Sequence, residues 1–236
     1  MAALSLPTDY PRIRQVGSFD ELISTPFGDG VNALCWPRTL TGDFSEVVRH
    51  LALDDDLTTL DEEILLALPL SEAGQIAVAI LLRDLRSLRD LELDPVLNAI
   101  TAYPRDEEPG AIPVDVYSFH ADSAPVVAET WLCTYHGAPS EGLRNDEGIR
   151  RLALPGMREI LLAEYGGTDD EGFTDYLSEH CYDLHYAPLP AAQPFSFGVG
   201  HLWRIAVDYP GSPVPPCLHR APESLPGDLV RLLLIS

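Results

Sequence analysis

The sequence contains no lysine, so all 15 of its basic residues are arginine. A chain without lysine cannot form the Schiff base that holds pyridoxal phosphate, nor supply the phosphate-binding lysine of a P-loop, and two large enzyme classes drop out. Cysteine is scarce as well. Cys35, Cys133, Cys181 and Cys217 are far apart and form no CxxC pair, so neither a disulfide framework nor a zinc knuckle is signalled, and reduced thiols are the expectation. No run reaches about 18 uninterrupted apolar residues, and the opening MAALSLPTDYPRIRQV lacks the apolar core of a signal peptide. A soluble, cytoplasmic protein with no membrane partner is predicted. Positive charge as a whole is in short supply: 37 acidic residues against 15 arginines give a formal charge of -22 at pH 7. Such a field repels phosphate backbones, and nucleic acid is not an expected partner.

What is present suffices for one good core, because 236 residues with 46% hydrophobic content can close a single domain. Residues 1–18 mix prolines with polar residues and read as a lead-in arm, leaving 19–236 as the domain. VNALCWPRTL alternates like a short strand ending at Pro37. GDFSEVVRHL predicts a helix capped by Asp43, and LTTLDEEILLALPL a second one starting near Thr58 or Thr59. SEAGQIAVAILLRDLRSLRDLEL is the longest amphipathic helix; its polar face is mixed in charge, so packing on the domain's own sheet is expected over a membrane. Asp94 and Pro95 open a further short helix to about Thr101.

After the turn-rich YPRDEEPGAIP the character changes to short strand-like runs: VDVYSFHA, ETWLCTYH, QPFSFGVG, HLWRIAVDY, PPCLHRAP and LVRLLLIS. They are interrupted by a helical insertion at about 146–181, with Gly166 suited to a C-cap. Helices first and strands later predict an α+β fold. Residues 19–110 form a strand with helical elaboration, and 111–236 a double-stranded β-helix (jelly roll) core with the N-terminal helices packed outside it.

The residues suited to chemistry lie in the second half. His120 and Asp122 are two apart, so on an extended strand both side chains leave one face. His219, brought in from a distant strand, would complete two imidazoles and one carboxylate, a facial set that leaves positions open on a metal. Arg231 is a lone cation in the apolar strand VRLLLIS and needs an anionic partner; Arg204 in HLWRIAV is its rival for a substrate carboxylate. Tyr117 and Thr134 are placed to hydrogen-bond a co-substrate. His136 is the candidate for a fourth ligand that would close the site. His180 and His185, five apart, miss the four-residue spacing of a helical metal pair and read as ordinary residues near a helix end.

In order, HxD, a distal histidine and then an arginine on the following strand resemble the Fe(II)- and 2-oxoglutarate-dependent oxygenase superfamily. The stretches FHADSAPV, WLCTYHGAPSEGL and HRAP with RLLLIS are similar to a family of bacterial domains of unestablished activity. The resemblance implies that His120, Asp122 and His219 ligate Fe(II) and act as the catalytic centre. It also implies that Arg231 pairs with the distal carboxylate of 2-oxoglutarate, and that the partners are a small-molecule substrate and O₂, with a homodimer as the assembly considered. With Asp122 in the carboxylate position, hydroxylation is expected rather than halogenation. Two alternatives stay open: a non-catalytic protein holding Zn²⁺ or another divalent ion, and a cupin-like dioxygenase that does not use 2-oxoglutarate.

Overall fold

The computed structural model describes residues 6–53, 55–105, 110–223 and 229–236. In chain order the first half holds β1 (Ile13–Gln15), α1 (Phe19–Ser24), β2 (Ala33–Trp36), α2 (Phe44–His50), β3 (Leu57–Leu60), α3 (Glu62–Ala67), α4 (Glu72–Arg89) and β4 (Val96–Ile100). The second half holds β5 (Phe119–His120), β6 (Glu129–His136), β7 (Glu141–Leu143), β8 (Gly148–Arg150), α5 (Met157–Tyr165) and α6 (Glu171–Glu179). It ends with β9 (His185–Pro188), β10 (Phe195–Ser196), β11 (Leu202–Ala206), β12 (Leu218–Arg220) and β13 (Arg231–Ile235).

The fold is mixed α+β, with two sheets rich in antiparallel pairs. The larger sheet has the order β1-β2-β11-β6-β13-β4-β3 and the smaller β10-β7-β12-β5-β9-β8. Only β1 and β2 pair in parallel among these strands, so Ile13–Gln15 of the lead-in arm forms one edge of the larger sheet. Tyr10 also anchors the arm, donating its hydroxyl to Asn145 at 2.9 Å and packing on Phe195.

Alternation along the larger sheet sorts its residues into two layers. Trp131, Cys133 and Tyr135 of β6, with Leu232 and Leu234 of β13, face outward into a core shared with α1 to α4. Leu132 and Leu233 face inward, joining Phe195, Phe197 and Cys217 from the smaller sheet and its flanking segments. The larger sheet therefore lies between a helical layer and the smaller sheet. The insertion helices α5 and α6 make a separate cluster with Ile112 and Tyr182. No helix among the described residues is long and apolar enough to cross a membrane.

The helices start where the capping residues direct. Asp43, Asp61 and Ser71 each accept a backbone N–H of the first turn of α2, α3 and α4. Gly166 ends α5 in the left-handed region at φ 71°, which glycine adopts without a Cβ clash. On α4 the buried face includes Asp84, 4% exposed, which accepts from Arg38 at 2.6 Å and from the Tyr135 hydroxyl at 2.8 Å. That network pins the long helix onto β6.

Two sequence expectations give way to strands. The segment after Asp94–Pro95, expected as a helix, is β4, an interior strand between β13 and β3. Proline there precedes the strand, where its missing N–H costs nothing, and VLNAI is short with β-branched ends. Likewise Thr58 and Thr59 belong to β3, and the helix begins only after Asp61.

Candidate metal centre

β5 and β12 are neighbours in the smaller sheet, with His120 directly opposite His219. Cross-strand partners stand about 5 Å apart, and the two rings have centroids 4.6 Å from each other. Asp122 lies just past β5, where the backbone is pinned from two sides. The Ala121 N–H donates to the Leu184 carbonyl at 3.0 Å, and the Asp208 N–H donates to the Asp122 carbonyl at 2.7 Å. One ligand atom each from His120, Asp122 and His219 falls within 4.8 Å of the other two. The sequence expectation that these three residues meet is met by the geometry.

The donors are oriented for a cation. The His120 Nδ1 is 2.8 Å from the Ser118 carbonyl, which can only accept, so Nδ1 carries the proton and Nε2 presents its lone pair. That Nε2 faces an Asp122 oxygen at 3.9 Å, and the His219 Nε2 faces the other at 3.7 Å. Both gaps are too long for hydrogen bonds and suit an ion among the three side chains. Burial, then the neighbouring His219, press the His120 pKa down to about 4, which keeps its ring neutral and ready to ligate. Burial pushes the Asp122 carboxyl upward, but the His219 imidazole, the Thr130 hydroxyl and His120 outweigh it and hold the pKa below the usual value. Thr130 donates to Asp122 Oδ2 at 2.5 Å and fixes the carboxylate's orientation.

His120, Asp122 and His219 line a cavity of about 220 Å³ between the two sheets, and Arg231 lines it too. Arg231 is 5% exposed. Its Nη1 donates to the Tyr103 hydroxyl at 2.7 Å, and its Nη2 donates to Ser140 Oγ at 2.5 Å and Thr134 Oγ1 at 3.4 Å. Nε has no partner, and among the described residues no carboxylate comes within ion-pair distance of the guanidinium. Burial lowers its pKa, a pull that Tyr103 opposes. Thr130 and Thr134 sit four apart on the inward face of β6, so Asp122 and Arg231 are served from points about 13 Å apart along one strand.

The other expected site residues divide. Thr134 touches Arg231, and Tyr117 supports it at one remove: the Tyr103 N–H donates to the Tyr117 hydroxyl at 3.2 Å and the rings meet edge to face. Arg204 is elsewhere. It donates Nε to Glu129 at 2.6 Å and Nη1 to the carbonyls of Leu22, Ile23 and Thr25, closing the C-terminal end of α1 on the helical face of the sheet. Its needs are met there, and it does not line the cavity. His136 is held by the Val230 carbonyl at 2.7 Å and adds no fourth ligand. His185 instead stands beside the site on β9, opposite His120, with ring centroids 5.7 Å apart.

Sequence reading missed Tyr103 and Ser140, two of the three hydroxyls holding Arg231. Both lie in turn-rich stretches with no periodicity to assign a face, and only the pairing of β4, β13 and β6 brings them to the arginine. No family model, curated protein or solved structure matches this chain. The site's own chemistry has to carry the reading of its function.

Proposed function

We propose that the protein is a non-haem Fe(II)- and 2-oxoglutarate-dependent oxygenase on a jelly-roll core, oxidising a small molecule, most simply by hydroxylation. The observation that carries this reading is Arg231: a buried guanidinium with only neutral partners among the described residues, lining the cavity that also exposes the three ligands. A buried cation without a counter-ion is costly, and a planar guanidinium pairs best with a carboxylate. A ligand bearing a carboxylate at one end and metal-binding oxygens at the other satisfies both ends of that cavity.

Two neutral imidazoles and one carboxylate suit Fe(II) and leave adjacent positions free. Iron bound there supplies O₂ activation coupled to decarboxylation of the keto acid. The chain's residues do the rest. His120 and His219 offer lone pairs, Thr130 keeps Asp122 aimed at the metal position, and the Tyr103–Ser140–Thr134 set holds Arg231 before the co-substrate arrives. Sheet side chains such as Leu132 and Leu233 give the cavity an apolar wall.

The same features weigh against the alternatives. A structural zinc site is normally closed by four protein ligands, and here no fourth His, Cys, Asp or Glu joins the three among the described residues. A dioxygenase working without 2-oxoglutarate would have no need of an arginine left unpaired in the same cavity. With Fe(II), O₂ and ascorbate, the protein is expected to convert 2-oxoglutarate slowly to succinate without any added substrate. His120→Ala is expected to abolish that conversion, and succinate formation at the parent rate in this variant would contradict the proposal.

A further inference from the structure

His120 and Asp122 face a second cavity as well. It measures about 270 Å³ and is lined by Asp115, Ala121, Ser123, Cys181, Leu184 and His185, so it opens between the loop before β5 and the end of the helical insertion. Ser123 and Leu184 also line a third cavity, of about 550 Å³, which runs on to Asp183, Asp208, Tyr209 and Pro210. The two cavities share these two lining residues and so lie side by side. Together they make a trough beside His120 and Asp122 whose lining does not include Arg231.

The charge in this trough has one sign. Its ionised lining groups are Asp115, Asp122, Asp183 and Asp208, and no arginine lines either cavity. Arg150 reaches Asp208 Oδ2 at 3.3 Å from outside the lining and is the one ion-pair partner of these carboxylates among the described residues, His120 and His219 beside Asp122 aside. Asp183 carries the sharper signal. Its Oδ1 has no hydrogen-bond partner, and the charge of Arg150, from outside the lining, compensates it in part. Tyr209 adds an aromatic ring to the same wall, the usual complement to carboxylates in holding an ammonium or guanidinium group.

We infer that the substrate is an organic cation, an alkylamine or alkylguanidine, which enters from the insertion side with its charge at Asp183, Asp208 and Tyr209 and its chain running past Ser123 and Leu184 toward His120 and Asp122. The oxygenase reading decides what happens to that chain; the binding claim stands on the trough alone. The acidic surface of the whole molecule works in the same direction, concentrating cations and repelling anions.

Cys181 supplies a reporter, because it lines the trough and is exposed while Cys35, Cys133 and Cys217 are buried. The experiment follows alkylation of Cys181 by neutral iodoacetamide, by peptide mass spectrometry, on the full chain with metal removed by chelator. The probes are hexylguanidine, the length-matched alcohol and the length-matched carboxylate. The guanidine is expected to slow Cys181 labelling saturably, with no effect from the other two. Asp183→Asn and Asp208→Asn, tested separately, are each expected to raise the half-protecting concentration about tenfold. Equal protection by the alcohol, better protection by the carboxylate, or no protection by any probe overturns the inference. Since neither iron nor 2-oxoglutarate is present, failure here leaves succinate formation untouched, and failure of the oxygenase reading leaves this result standing.

Discussion

At the scale of single residues, the imidazole of His120 is displaced well below its ordinary titration range. Its ordinary pKa of 6.5 is pressed to about 4, first by burial and then by His219. For a base, a lowered folded value means that between these two pH values the unfolded chain binds the extra proton. The stability contributed by neutral His120 is therefore complete above about pH 6.5 and falls as the pH drops toward 4, with a slope of at most about 1.4 kcal/mol per pH unit. Urea midpoints at pH 7 and pH 5 check this in metal-free protein. The parent is expected to lose more between the two than His120→Gln does, and equal losses would show that the ring titrates normally.

Between strands, the approach of Gly137 to β13 shapes the Arg231 end of the cavity. Gly137 follows β6 with φ 78°, and a Cβ there would lie 2.8 Å from the Val230 carbonyl oxygen and 2.9 Å from the Arg231 Cα. Gly137→Ala has to push β13 away while also adopting a backbone conformation that alanine disfavours. A loss of about 1–3 kcal/mol is expected. So is a higher keto-acid requirement with little change in metal affinity, since the triad is carried by the other sheet. Calorimetry with competitive Co(II) titration separates the two effects. Unchanged stability, or a loss confined to metal binding, would contradict this account of the turn.

The elements also show why some of the fold could be read along the chain and some could not. Asp43, Ser71 and Gly166 act within a few residues of their own helix ends, so α2, α4 and α5 were legible. The HxD pair was legible for the same reason, since two residues of extended chain fix a common face. β4 was not, because the β-branched ends of VLNAI are too weak a mark to separate a short strand from a helical turn until β13 and β3 flank it. Ser140 and Tyr103 became site residues only through pairings that join segments 91 to 128 residues from Arg231. Arg204 and Arg231 look alike as lone cations in apolar strands. Alternation sends one to the helix layer and the other to the cavity, and the strand register that decides this is a long-range property.

Over the whole molecule, the formal charge of -22 sets a repulsion that every local contact has to overcome. Screening that repulsion favours the compact state. Raising sodium chloride from about 20 to about 300 mM, where the Debye length shrinks from roughly 20 Å to below 10 Å, is expected to raise the melting temperature. A melting temperature that stays level or falls would mean that the surface ion pairs, such as Arg158–Asp169 and Arg86–Glu62, contribute more than the net repulsion removes.

One cavity joins the proposed metal position at His120, Asp122 and His219 to the proposed carboxylate position at Arg231. Anaerobic titration of Fe(II)-loaded protein with 2-oxoglutarate tests both together, by the weak visible charge-transfer band that keto-acid chelation to Fe(II) produces. The account predicts a saturable band in the parent, none in His219→Ala, and an intact band in Arg231→Gln that needs about 10- to 100-fold more keto acid. Fe(II) binding without a band at any keto-acid concentration, or a band indifferent to Arg231, would contradict it.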